Sequence, residues 1–89
     1  MKTYSVFMRD GKIRLNEYIR GRINGVIYVL TGMPEKRYPS DVKEDGSCAF
    51  QYFDATEAQF EMVRNCVEKL YGHFIYLEFK CRETQEEEL

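Results

Sequence analysis

One histidine and three cysteines are the only imidazole and thiol groups in this 89-residue chain. Cys48 follows Gly46-Ser47 at the end of a polar stretch, where a thiolate could attack a substrate. That chemistry needs a neighbour that lowers the thiol pKa and a third group that orients a base. The sequence places neither beside Cys48 or His73. His73 directly follows Gly72, so its expected role is to donate to the last carbonyls of a helix. Cys48, Cys66 and Cys81 form an odd, widely spaced set without a C-x-x-C pair. This is neither a disulfide framework nor a zinc motif, and each is expected to act as a small buried hydrophobe. Asp41, Glu44, Asp45 and Asp54 fit neither a calcium loop with its closing glutamate nor the paired carboxylates of a glycosidase. The six glycines all stand singly, so no glycine-rich phosphate loop exists. The expectation is a protein that is not an enzyme and uses no cofactor or metal.

Recognition chemistry is better represented. Between residues 12 and 22 the even positions are Lys12, Arg14, Asn16, Tyr18, Arg20 and Arg22, and the odd ones are mostly apolar. A period of two predicts a strand with one buried and one wet face. Such a strand would display a ladder of guanidinium groups around one tyrosine. Arginines interleaved with aromatics suit single-stranded nucleic acid through phosphate charge and base stacking. They suit a protein hot spot equally well. An ordinary solvated face, its arginines paired with Glu17, Glu78 or the C-terminal acids, is the structural alternative.

The elements needed to hold this ladder follow from turn chemistry. Residues 3–9 predict a first strand, and Asp10-Gly11 a tight hairpin turn. That register sets Met8 opposite Ile13 and Val6 opposite Leu15. Asn24-Gly25 predicts a second hairpin into a third strand over 26–30, apolar on both faces. Residues 32–46 form a long polar connection, and 48–53 a short fourth strand. Thr56-Glu57-Ala58-Gln59 fits a capping box, opening an amphipathic helix that runs to about Tyr71 and stops at Gly72. Its apolar side carries Phe60, Val63, Cys66, Val67, Leu70 and Tyr71. Residues 73–82 alternate again, with Ile75, Leu77, Phe79 and Cys81 on one side. A rival reading makes 15–22 a short helix, weakened by Gly21. The expected fold is α+β: a mostly antiparallel β-meander in β-β-β-β-α-β order, with one helix on one face. Residues 1–82 form the expected single domain, followed by an acidic, frayed tail over 83–89.

The 74–79 run lacks the lead-in of the aromatic strand in an RNA-recognition motif, because Gly72 and His73 precede it and Ile75 fills the small slot. A core strand accounts for it.

Charge refines the choice of partner. The net charge of −2 hides opposed halves: residues 1–40 carry eight cations against three anions, and 41–89 five against twelve. A chain of overall acidic balance, with pI near 5.4, is a poor dedicated nucleic-acid binder. No apolar run approaches the roughly 20 residues of a membrane span, and no basic-then-apolar leader opens the chain. A cytoplasmic location without membrane contact is therefore expected.

These observations favour a small protein-binding module. It would be a stand-alone inhibitor or regulator of the phage or mobile-element type, docking on a larger protein or nucleoprotein complex. The predicted docking residues are Phe7, Arg14, Tyr18, Arg20 and Arg22, joined by Tyr76, Lys80 and Arg82 if the last strand shows its even residues on the same side. Ile27 and Val29 beside them would suit a homodimer contact. The alternative is a single-stranded nucleic-acid or RNA binder using the same face.

Overall fold

A computed structural model describes residues 1–33 and 47–82. The described elements are β1 (Lys2–Asp10), α1 (Glu17–Thr31), β2 (Cys48–Ala55), α2 (Glu57–Tyr71) and β3 (Ile75–Cys81). The strands form one antiparallel sheet in the order β2-β1-β3. The α+β class and the antiparallel sheet are as expected; the strand count and the order of elements are not. Three strands and two helices stand where four strands and one helix were predicted.

Alternation on β1 builds the core. Tyr4, Val6 and Met8 point into it and are almost wholly buried, Val6 at 0% exposure. Beside them, Ala49, Phe53 and Ala55 of β2 and Ile75 of β3 face the same way. Both helices lie over this face, α1 through Ile23 and Ile27 and α2 through Val63 and Val67. An aromatic stack closes the α2 side, with the Tyr4 and Phe60 rings 4.0 Å apart and nearly parallel.

The second helix forms as expected. Thr56 Oγ1 accepts from the Gln59 amide at 3.2 Å, and Gln59 Oε1 accepts from the Thr56 amide at 2.9 Å. This reciprocal pair satisfies two of the donors that every helix start leaves open. Gly72 ends the helix, its amide donating to the Glu68 carbonyl.

The predicted strands over 12–22 and 26–30 are overturned, together with both hairpins. Most of that stretch is a single helix, so the rival helical reading of 15–22 was right in kind and too short. The reason lies in a shared multiple. Leu15, Ile19, Ile23 and Ile27 recur every four residues, a spacing compatible with both a period of two and a period of 3.6. Val26 and Leu30, packed against the core with Ile19, complete a helical face that no strand could present. Asn16 caps the start, its side chain accepting from the Ile19 amide at 3.0 Å. Gly32 ends it at φ 77°, a left-handed conformation that favours glycine. Asn24-Gly25, a strong turn signal on its own, lies inside the helix. Burial of the isoleucine face outweighs the roughly 1 kcal/mol that a mid-helix glycine costs.

Gly11 is needed for a different reason than the one predicted. A Cβ there would sit 2.7 Å from the Phe74 carbonyl oxygen, which accepts from the Lys12 amide. The expectations for 34–46 and 83–89 lie outside the described residues.

Candidate docking face

Side chains of β1 that do not enter the core emerge on the opposite face, which no described element covers. Thr3, Ser5, Phe7 and Arg9 come from β1. Phe50, Tyr52 and Asp54 come from β2, and Tyr76, Glu78 and Lys80 from β3, with Arg82 just beyond it. The ladder fixes their neighbours: Phe7 lies between Phe50 and Glu78, Ser5 between Tyr52 and Lys80, and Arg9 next to Tyr76.

Four aromatic rings cross the middle of this face. The Phe7 ring centre is 4.8 Å from Phe50 and 6.3 Å from Tyr76, and Phe50 and Tyr52 are parallel at 6.0 Å. Phe50 is 37% exposed and Tyr76 46%. Such exposure on a rigid sheet leaves apolar area available to a partner. Cations flank the rings: the Arg9 guanidinium stands 4.6 Å over Tyr76, and that of Arg82 4.4 Å over Tyr52. A shallow hollow of about 230 Å³, lined by Ser5, Phe7, Phe50, Glu78 and Lys80, opens at the centre.

Charge here is mixed. Lys80 Nζ lies 2.9 Å from the Glu78 carboxylate, and Tyr76 Oη donates to Glu78 at 3.5 Å. The hydrogen bond from Lys80, and then its charge, hold the Glu78 carboxyl below the usual carboxylate range. The same contact raises Lys80 above the ordinary ammonium value. Thr3 Oγ1 donates to Asp54 at 2.6 Å.

The residues predicted to share one surface are divided. Phe7, Tyr76 and Lys80, with Arg82, do meet on the open face. Arg14 is exposed in the connection before α1, and Tyr18 and Arg22 lie on the outer side of α1. There Arg22 donates to Tyr18 Oη at 3.3 Å and to Tyr71 Oη at 3.2 Å. Val29 is exposed on the same helix, whereas Ile27 is in the core. Arg20 corrects the predicted ladder most sharply. It is 1% exposed, and its guanidinium donates to the Phe50 carbonyl at 3.0 Å, with the Glu17 carboxylate 3.7 Å away. Gln51 Nε2 in turn donates to the Arg20 carbonyl at 3.2 Å. Arg20 therefore fastens α1 to β2 and presents no charge to solvent.

Arg9, Phe50 and Tyr52 were missed. Residues 48–55 alternate, but aromatics fall on both sides of the alternation: Phe50 and Tyr52 outward, Phe53 inward. Only the register with β1 reveals which side is dry.

His73 is exposed in the turn after α2, and Cys48 is half-buried at the start of β2. Among the described residues no three His, Cys, Asp or Glu side chains cluster to hold a metal ion, and no helix is long and apolar enough to cross a membrane. No protein-family model, characterised protein or solved structure matches the chain.

Proposed function

We propose that the chain is a non-enzymatic protein-binding module whose open sheet face docks on a larger protein or nucleoprotein complex and regulates it. One observation carries the reading: four aromatic rings and three cations occupy a face that no described element covers, while two helices cover the other. Rings held by cross-strand neighbours lose little entropy on binding, and Tyr and Arg are enriched among residues that dominate interfaces. The mixed charge favours a protein over a nucleic acid. Ionised Glu78 borders the central hollow, and guanidinium groups already lie over Tyr52 and Tyr76, where bases would stack.

The test is affinity capture from a lysate of the chain's own host, before and after nuclease treatment, with wild type, Phe50→Ala/Tyr76→Ala and Tyr18→Ala/Arg22→Ala. The expected result is a captured protein that survives nuclease, is lost with the sheet-face variant and is kept with the helix variant. Capture that ignores the sheet-face change defeats the proposal.

A second reading, single-strand binding, draws on the parallel Phe50 and Tyr52 rings beside Arg82. It predicts an affinity for oligonucleotides that falls with log salt, by a slope of about 0.7 per phosphate engaged.

A further inference from the structure

The sheet ends in two edges, and the chain treats them differently. Two hydrogen bonds fix the pattern: the Asp10 amide donates to the Ser47 carbonyl, and the Arg82 amide to the Thr3 carbonyl. In an antiparallel ladder, hydrogen-bonded pairs alternate with pairs whose backbone groups point away. The even residues of β1 therefore bond to β2, and its odd residues to β3. On β2 the Phe50 carbonyl points outward, and the buried Arg20 guanidinium takes it. On β3 the amides and carbonyls of Ile75, Leu77, Phe79 and Cys81 point outward, and no hydrogen bond from a described residue reaches them. β3 has no proline, and its pairing with β1 runs through all seven of its residues without a bulge. Of the devices that usually blunt an edge strand, β3 carries only charge, Glu78 and Lys80, which a complementary register can satisfy.

We infer that the β3 edge pairs antiparallel with β3 of a second copy of this chain, about a twofold axis at Phe79. Charge complementarity selects both the occupant and the register. Outward-pointing residues must meet one another, and three such centres, at residues 77, 78 and 79, keep most of the strand paired. Centred on Glu78, the two glutamates face each other, a like-charge contact that destabilises a pair. Centred on Leu77, Glu78 meets Tyr76 and Lys80 meets Phe74. Centred on Phe79, Glu78 meets Lys80 and Tyr76 meets Arg82, each twice by symmetry. Tyr76, Glu78, Lys80 and Arg82, all on the open face, then each have a partner of opposite charge or a cation–π partner. On the inner side Phe79, half-buried against Phe60 in edge-to-face contact, covers its exposed half with its own symmetry mate.

The axis stands perpendicular to the sheet, so the two open faces become one continuous surface. The pairing does not depend on what that surface binds. Self-association is read on purified protein alone, so its failure is distinct from a failure of docking.

The experiment is sedimentation velocity on the purified full chain across a concentration series up to about 1 mM. Glu78→Lys, Lys80→Glu and the double swap Glu78→Lys/Lys80→Glu are run beside wild type. Neither changed position is buried, and circular dichroism confirms that each variant is folded. Wild type should reach twice the monomer mass. Each single swap should weaken association by about tenfold or more, because it sets like charges opposite each other twice. The double swap should recover wild-type association. A wild type that stays monomeric throughout overturns the inference. So does a dimer indifferent to the single swaps, or a double swap that fails to restore it.

Discussion

The two faces of β1 alternate along one strand yet have opposite fates. Tyr4, Val6 and Met8 are sealed under two helices, while Phe7 and Arg9, one residue along, face outward. Composition does not separate them, since both sides carry large apolar groups. What separates them is supply: the described chain has two amphipathic helices, and both lie on the same side. Stability is therefore concentrated on one face, and exposed apolar area collects on the other.

Neighbouring phenylalanines on β2 give the sharpest way to break this contrast. Phe53 is fully buried beside the stacked Tyr4 and Phe60 rings, so Phe53→Ala should cost about 3–5 kcal/mol in urea denaturation. Phe50→Ala, on the open side, should cost about 1 kcal/mol or less. Equal losses would mean that the open face is also core.

Next in size is the arginine contrast on α1. Arg20→Ala removes a buried stem and the donor to the Phe50 carbonyl, and should cost about 2–4 kcal/mol. Arg22→Ala, whose partners are exposed tyrosine hydroxyls, should leave the denaturation midpoint close to that of wild type. If the two variants were equally stable, Arg20 would not be fastening α1 to the sheet.

Gly25 supplies a test by sign. Nothing lies within 4 Å of where its Cβ would be, and its φ is not positive. In a helix Gly25→Ala should therefore stabilise, by about 0.5–1 kcal/mol. In the hairpin turn that Asn24-Gly25 suggests, the same change would destabilise, because alanine resists positive φ. A fall in melting temperature would restore the strand reading.

The smallest effect concerns Glu78. Its carboxyl should titrate below the ordinary carboxylate range by NMR, and Lys80→Gln should return it towards that range. A depressed carboxyl contributes stability above its unfolded pKa and loses it as pH falls through the lowered folded value. Both partners are open to solvent, so the titration shift is the readout to follow. An unchanged Glu78 in Lys80→Gln would remove the pair from the face.

How much of this was legible in the sequence varies along the chain. The capping box at Thr56 and Gln59, with Gly72 at the far end, marked α2 because both signals are local and agree with the apolar period. The alternation of residues 75–81 marked β3. Residues 15–31 misled because a spacing of four satisfies two periods, and because Asn24-Gly25 is a turn only where tertiary packing permits. Asn16 and Gly32, a cap at each end, were the local signals that favoured the helix. The open face was half legible. Phe7, Tyr76, Lys80 and Arg82 were grouped together, but Arg20 was placed outside because a helical face can bury an arginine whose head reaches a backbone carbonyl. Phe50 and Tyr52 could not be assigned to a face without the register to β1.

Hydroxyl-radical footprinting of the chain with its captured partner tests the docking face most directly, because oxidisable side chains lie on both surfaces. The account predicts protection of Phe7, Phe50, Tyr52 and Tyr76, with Tyr18, Tyr28 and Met62 on the helices reacting as in the free protein. Protection of the helix residues with the sheet rings left reactive would contradict it.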